Sequence, residues 1–346
     1  MRYDIDREYL LGVFQKIVNT PSPVGCYSFL NPVLQELASE LDLSVTVDNR
    51  GAAYIYLDGE DCSKTVLIGA HADTLGMVVR KIEPDGMIRV TALGGIHYGC
   101  LEGETVTIHT QDGKNYTGLF MCQSHSVHAF EDARTLERNE KTMMILLDEK
   151  IRSRDDVLKL GIRHGDFVSV DPRCQITPNG FVKSRYIDDK GAIACCFAML
   201  KYFSVHGLKP KYRTVFAFPY TEEIGFGGSY IPANVSEFVA MDIGLISPDY
   251  ESNEFAVTIC PKDGVMPYDP VLTRRLIECA EKADCDYAVD VFGRLGTDAS
   301  TALRAGYDIK TALFGMAVYG SHNMERTHIL GLCNATNLLI AYLLDI

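Results

Sequence analysis

Apolar residues recur at helical spacing near both ends of the chain and predict helices there. From Glu8 to Val18, and again from Phe29 to Leu41, apolar side chains return every three or four positions, as they do on one face of an amphipathic helix. Longer apolar or periodic stretches predict further helices at 188–203, 270–283 and 332–344. Short apolar runs predict strands at 44–47, 53–57, 65–69, 212–218, 239–242 and 309–317. Because strands alternate with helices, the pattern predicts an α/β fold with a layered sheet.

The pattern of apolar residues changes between about residues 78 and 172. Short runs rich in β-branched and aromatic residues alternate there with turn signals such as Gln111-Asp112-Gly113. The highly charged stretch 131–142 predicts an exposed loop or a short helix. We therefore predict a discontinuous α/β domain and a β-rich domain inserted into it, at 1–76 with 174–346 and at 77–173.

Composition narrows the class of protein. Of 346 residues, 47% are apolar and 23% are charged, which is typical of a globular protein in water. No apolar run approaches the roughly 20 residues that span a bilayer, and the first residues have no apolar signal core. We therefore expect a cytoplasmic protein that does not enter a membrane.

Charge and cysteine spacing exclude two kinds of site. The net charge of −13 argues against nucleic acid as a partner, because such binding depends on clustered Lys and Arg. The eleven cysteines include no Cys-x-x-Cys pair, so a zinc-finger-type site is not expected.

Two adjacent carboxylates, Glu222 and Glu223, follow the apolar run 212–220 and precede a glycine-rich turn. On an extended strand, neighbouring side chains point in different directions. One carboxylate could then ligate a metal while the other moves a proton, which suits hydrolysis by a metal-activated water. A glutamate pair alone is common and is usually only part of a solvated surface, so this hypothesis depends on finding further ligands.

Other acidic residues and histidines end apolar strands or open a helix, which is where α/β proteins build sites. These are His71, Asp73, Asp188, Asp242, His322 and His328. Each also has a structural interpretation: Asp188 as a helix N-cap, Asp242 as a backbone cap, and His71 as a partner of a neighbouring aspartate.

Taken in order, several short motifs resemble one known family. They are His71-x-Asp73, Asp188-Asp189-Lys190-Gly191, Glu222-Glu223-x-Gly225, Asp242 and a late histidine. The chain resembles the co-catalytic metallo-aminopeptidases that include bacterial glutamyl aminopeptidase and the archaeal tetrahedral aminopeptidases, within the zinc exopeptidase clan. The resemblance spans nearly the whole chain. It implies a mixed-sheet α/β fold with an inserted, barrel-like β-rich domain.

The resemblance also implies roles for individual residues. Two divalent metal ions per subunit, Zn²⁺, Co²⁺ or Mn²⁺, would be held by His71 and Asp242 on one side, by Glu223 and His322 on the other, and by Asp188 as a bridge. Glu222 would be the general base and acid, and Asp73 would orient His71. The late segment lacks the family's common His-Ser-Pro, so His328 stays as the alternative to His322.

The implied activity is removal of N-terminal residues from short peptides by an aminopeptidase. The resemblance further implies a homo-oligomer, built from dimers and up to a dodecamer, with the insert at 77–173 as the assembly element. A deacylase or carboxypeptidase on the same metal scaffold is an alternative. The paired carboxylates also fit a glycosidase, which the absence of tryptophan disfavours. A non-catalytic metal-binding or scaffold protein is a further alternative, disfavoured by Glu222.

Overall fold

Each of two units has its own sheet and core in the part of the chain that the structure describes, residues 1–344. The structure is a computed structural model. One unit consists of Met1–Asp73 and the chain from Arg173 onward, and the other of Thr74–Pro172.

Helices lie where the apolar spacing predicted them, and also at two short segments that the spacing missed, Arg154–Leu160 and Asp298–Arg304. In chain order the helices are α1 (Arg7–Val18), α2 (Leu30–Ser39), α3 (Arg154–Leu160), α4 (Ile187–His206), α5 (Pro270–Lys282), α6 (Asp298–Arg304) and α7 (Ile329–Leu344). The charged stretch 131–142 forms turns, so the loop interpretation of it is the correct one.

Helix α4 is apolar or small on nearly every face and is buried along almost its whole length. It contacts α1 and α7. A helix that is hydrophobic all round is stable only when it is covered on all sides. The buried helix supplies a rigid support for the residues at its start, which include Asp188.

Strands form a main sheet, a small sheet and a barrel. In chain order they are β1 (Val45–Val47), β2 (Ala53–Leu57), β3 (Asp61–Gly69), β4 (Gly76–Ile82), β5 (Ile88–Leu93), β6 (Glu104–His109), β7 (Asn115–Cys122), β8 (Met143–Leu147), β9 (Phe167–Val170), β10 (Gln175–Ile176), β11 (Phe181–Ser184), β12 (Tyr212–Phe218), β13 (Val235–Met241), β14 (Gly244–Leu245), β15 (Val257–Lys262), β16 (Tyr287–Val291), β17 (Lys310–Val318) and β18 (Glu325–His328).

The main sheet has the order β1-β2-β12-β3-β13-β17-β15-β16, with β14 beside β17. Its middle strands β12, β3, β13 and β17 are parallel, whereas β2 and β15 pair antiparallel with them. The ends of β3 and β13 are fully apolar and buried, as expected for strands covered on both faces. Because the middle strands are parallel, their carboxyl ends meet at one edge of the sheet.

The small sheet has the order β10-β11-β18. Strands β11 and β18 pair antiparallel, with Ser184 opposite Glu325. This pairing brings the start of α4 next to the loop that follows β17, although the two segments are far apart in the chain.

The unit Thr74–Pro172 is a closed barrel with the strand order β4-β5-β8-β7-β6-β9. Its interior is filled by side chains such as Val90, Ile108, Phe120, Ile145 and Val168, which are buried. The predicted fold class, a mixed α/β sheet with a barrel-like β-rich insert, is confirmed. Among residues 1–344, none of the helices has both the length and the apolar character needed to cross a membrane.

Gly315 lies in β17 where the chain after β13 passes closest. A Cβ atom at this position would be 1.6 Å from the carbonyl oxygen of Asp242. We expect Gly315→Ala to lower the free energy of unfolding by about 1–3 kcal/mol, because rigid backbone rather than a flexible side chain must move. Urea unfolding followed by circular dichroism measures the change.

Gly12→Ala in α1 is the matched control, since a Cβ there meets nothing within 4 Å. Alanine in a helix interior should stabilise by about 0.5–1 kcal/mol relative to glycine. A Gly315→Ala protein as stable as the unchanged chain would contradict the close approach at Asp242.

Candidate metal centre

The loops after β3, β12, β13 and β17 place polar side chains at the carboxyl edge of the main sheet, together with the start of α4. Among residues 1–344, two groups of side chains have ligand atoms within 4.8 Å of one another: His71 with Asp188 and Glu223, and His71 with Asp189 and Asp242. His71 is common to both groups. Five residues from four separate segments of the chain therefore lie together at this edge.

The ring of His71 is buried and held on both nitrogens. Nδ1 lies 3.0 Å from the carbonyl oxygen of Asp73, which can only accept, so Nδ1 carries the hydrogen in this contact. Nε2 faces Oδ1 of Asp188 at 3.0 Å and Oε2 of Glu222 at 3.8 Å. A lone pair on Nε2 pointing at carboxylate oxygens requires a positive charge between them, either a proton or a cation.

Asp73 is fully buried and holds the backbone of the glutamate pair. Its Oδ1 accepts a hydrogen bond from the N–H of Glu222 and its Oδ2 one from the N–H of Glu223, both at 3.1 Å. Oδ1 also lies 3.6 Å from Nδ1 of His71. Asp73 thus fixes the backbone position of both glutamates.

The expectation that Glu222 and Glu223 lie on an extended strand is wrong. Strand β12 ends at Phe218, and the two residues lie in a single turn of 3₁₀ helix, Glu222–Ile224. The turn closes because the backbone N–H groups bond to Asp73 rather than to a neighbouring strand. The side chains still diverge, with Glu222 near His71 and Glu223 near His322.

Asp188 lies between the two histidines of the cluster. Oδ1 faces Nε2 of His71 at 3.0 Å, and Oδ2 faces Nε2 of His322 at 3.8 Å. Its backbone is not helical, although it stands inside the segment assigned to α4. Asp188 therefore does not act as a simple helix cap, and its two oxygens point towards different neighbours.

Only one of the two late histidines lies in the cluster. Nε2 of His322 is 3.4 Å from Oε2 of Glu223. His328 instead bonds to the carbonyl of Asn179 through Nε2 and to the N–H of Leu330 through Nδ1. Its ring packs against Phe181 at 4.8 Å. The contacts of His328 are those of a structural residue.

The cluster holds more negative charge than its own histidines can balance. Burial raises the pKa of Glu222 and Glu223 well above the usual range, and burial together with the charge of Asp188 raises that of Asp242 to about 7. Burial lowers the pKa of His71, but hydrogen bonds to Asp188 and Asp73 outweigh it. All these groups compete for protons, and a bound cation would satisfy them together.

Asp189 gives a second sign that a cation fits here. Its Oδ2 accepts the N–H of His71 at 3.1 Å, but its buried Oδ1 finds no hydrogen-bond partner among residues 1–344. A buried carboxylate oxygen without a partner is costly. Oxygen and imidazole donors without thiolates suit Zn²⁺, Co²⁺ or Mn²⁺, and the residues present fit such ions.

Sequence reasoning assigned no role to Asp189 or to Asp298. Asp189 was visible in the motif that begins with Asp188. Asp298, at the start of α6, is buried, and its Oδ1 accepts the N–H of Gly228 at 2.8 Å. It fixes the glycine turn that follows the glutamate pair. Nothing in the local sequence shows that these two segments touch.

A cavity of about 260 Å³ opens beside the cluster. The metal-ligand candidates form part of its lining. The lining also includes arginines, hydroxyl groups and two apolar side chains: Arg294, Arg304, Thr297, Ser300, Thr301, Val265 and Leu295. The cavity is therefore lined by both acidic and basic side chains.

The chain is similar along its whole length to known proteins. It is 38% identical over 334 residues to YhfE of Bacillus subtilis, a protein classed among the aminopeptidases, and the match covers 96% of each chain. The fold matches an aminopeptidase of the archaeon Desulfurococcus kamchatkensis with a TM-score of 0.88 at 22% identity, over 98% of this chain and 96% of that one. It also matches the Pyrococcus horikoshii TET1 peptidase, which can assemble into a tetrahedron or a large octahedral shell, with a TM-score of 0.86 at 20% identity, over 97% of this chain and 100% of that one.

The family comparison agrees with these relatives. Residues 51–338, most of the chain, match the family described as M42 glutamyl aminopeptidase. The prediction of an aminopeptidase, a hydrolase that acts on peptide bonds, is thereby confirmed, and the chain belongs to the M42 glutamyl aminopeptidase family.

Proposed function

We propose that the protein is a dinuclear metal-dependent aminopeptidase in which Glu222 acts as general base and acid. The observation that carries this proposal is the position of Asp188, whose two oxygens face two different histidines across a buried acidic cluster. A bridging ligand requires a carboxylate whose two oxygens face different partners.

The proposed ligands divide around Asp188. His71 and Asp242 hold one ion, and Glu223 and His322 hold the other. When bound, such ions polarise a carbonyl group and lower the pKa of water to about 7. The distance of 3.4 Å between Glu223 and His322 and the separate contacts of His328 support His322 as the last ligand.

Glu222 moves the proton. Its carboxylate lies in the cavity wall, 3.8 Å from Nε2 of His71, and is largely shielded from solvent. Burial raises its pKa well above the usual range, which favours a group that takes a proton from the attacking water and returns it to the leaving amine. Asp73 holds the backbone of Glu222, so the carboxylate is oriented before substrate binds.

The charge distribution of the cavity indicates which peptides bind. The acidic wall favours a substrate with a free, positively charged N-terminus. Arg294 and Arg304, which also line the cavity, would pair with a carboxylate on the first side chain of the peptide. We therefore propose peptides with an N-terminal Glu or Asp as the preferred substrates, in agreement with the description of the family.

We also propose that the chain forms a homo-oligomer through the barrel unit Thr74–Pro172 and acts in the cytoplasm. The assembly of the Pyrococcus horikoshii TET1 peptidase, whose fold this chain shares, supports the first part. Light scattering of the purified chain would measure the oligomeric state, and a monomer would contradict the proposed homo-oligomer.

Glu222→Gln should lower kcat by a factor of about 10²–10⁴ without releasing metal, because the amide cannot take up the proton. The measurement is hydrolysis of a free-amine peptide together with elemental analysis of the protein. Glu40→Gln, at an exposed carboxylate, is the control and should be fully active. Near-normal turnover by Glu222→Gln would rule out the assignment.

His322→Ala should weaken binding of the second divalent ion by at least about tenfold, because a ligand is lost. His328→Ala should keep the metal content unchanged and lower only the stability, since the ring packs between aromatic side chains. Metal content after dialysis against a limiting chelator distinguishes the two variants. The opposite pattern would assign the ligand to His328.

A substrate panel tests the activity as a whole. Free-amine peptides beginning with Glu, Leu or Lys are compared with the same peptides acetylated at the N-terminus. We expect hydrolysis of the free-amine peptides alone, abolished by a chelator and restored by Zn²⁺, Co²⁺ or Mn²⁺, with kcat/KM about tenfold higher for Glu. Cleavage of the acetylated peptides would instead favour a deacylase or a carboxypeptidase.

A further inference from the structure

Glu325 is a buried carboxylate that has no part in the proposed chemistry. It begins β18, and only 2% of its surface is exposed. The antiparallel pairing of β18 with β11 places it opposite Ser184, four residues before Asp188. The side chain therefore lies beside the chain that enters α4.

Each oxygen of Glu325 accepts a backbone hydrogen bond from a proposed metal ligand. Oε2 accepts the N–H of Asp188 at 3.0 Å, and Oε1 accepts the N–H of His322 at 3.3 Å. These two residues come from opposite ends of the second half of the chain. A single carboxylate thus joins the backbone of the proposed bridge to that of the last ligand.

The backbone of His322 needs such a support. Its φ angle is +66°, in the left-handed region that a residue with a side chain rarely adopts. Such a conformation persists only where the surrounding structure holds it. The bond to Glu325 holds the N–H of His322 and so fixes the direction in which the imidazole leaves the chain.

A carboxylate is the side chain that suits this position. The N–H groups of Asp188 and His322 each face one of its oxygens, and both oxygens of a carboxylate accept hydrogen bonds. An amide would accept on one side only and would present its own N–H groups to the other donor. Asp73 makes the same kind of contact to Glu222 and Glu223, so the cluster contains two carboxylates that hold pairs of backbone N–H groups.

We infer that Glu325 is a positioning residue that sets the separation of Asp188 and His322 and thereby the affinity of the centre for divalent ions. This inference rests on the proposed function, because it requires both residues to be ligands. Glu325 touches neither substrate nor the reacting atoms.

The experiment titrates metal-free protein with Zn²⁺ or Co²⁺ in competition with a chromophoric chelator. Glu325→Gln should fold, as judged by circular dichroism, and should bind the ions about 10–100-fold more weakly than the unchanged chain, as is usual when a partner of a metal ligand is removed. The absorption spectrum of bound Co²⁺ should also change, because the ligands around it shift.

Asp290→Asn is the matched control. Asp290 is also buried and accepts two backbone N–H groups, those of Glu251 at 3.1 Å and Ser252 at 2.8 Å, but it holds no proposed ligand. The Asp290→Asn substitution should lower the unfolding temperature without changing the affinity for metal ions. This difference separates positioning of the ligands from a general contribution to stability.

Should Glu325→Gln fail to fold, Glu325→Asp keeps the charge on a shorter side chain and should show a smaller loss of affinity. Full affinity for Zn²⁺ and Co²⁺ in whichever variant folds would overturn the inference while leaving the proposed function intact. If the unchanged chain binds none of Zn²⁺, Co²⁺ and Mn²⁺, both the inference and the proposed function are overturned.

Discussion

Buried negative charge at one edge of the main sheet is the constraint on which the rest of the structure depends. Parallel strands end side by side, so the acidic residues that follow them are forced together, away from water. Charges of one sign at such distances repel strongly in a protein interior unless a cation or protons compensate them. His71 supplies one compensating group, and the remaining carboxylates fit divalent ions.

Hydrogen bonds from backbone N–H groups hold carboxylates of this region in place despite the repulsion. Asp73 holds the glutamate pair, Glu325 holds Asp188 and His322, and Asp298 holds the glycine turn. Each bond fixes the main chain of a neighbouring segment rather than another side chain. The geometry of the cluster is therefore set by the fold before any ion arrives, which lowers the cost of ordering ligands on binding.

Sequence pattern was sufficient for the long helices and for β3, β12, β13 and β17, because a buried apolar strand is recognisable locally. It did not predict β15, β16 or β18. The cluster residues at strand ends, His71 and Asp242, could be identified for the same reason. The 3₁₀ turn at Glu222 could not, since it depends on a bond to Asp73 across the sheet. The sequence assigned no role to Glu325 or Asp189, because their contacts join segments that are distant in sequence.

The order of segments around the centre has a consequence for how the protein is made. The chain leaves the main sheet after Asp73, forms the barrel unit, and returns only at Arg173. Asp188 and His322 are therefore synthesised long after His71, and β17 must pair with β13 before the edge is complete. The cluster can therefore assemble only after the growing chain has passed His322, and any ion that binds it must bind after that point.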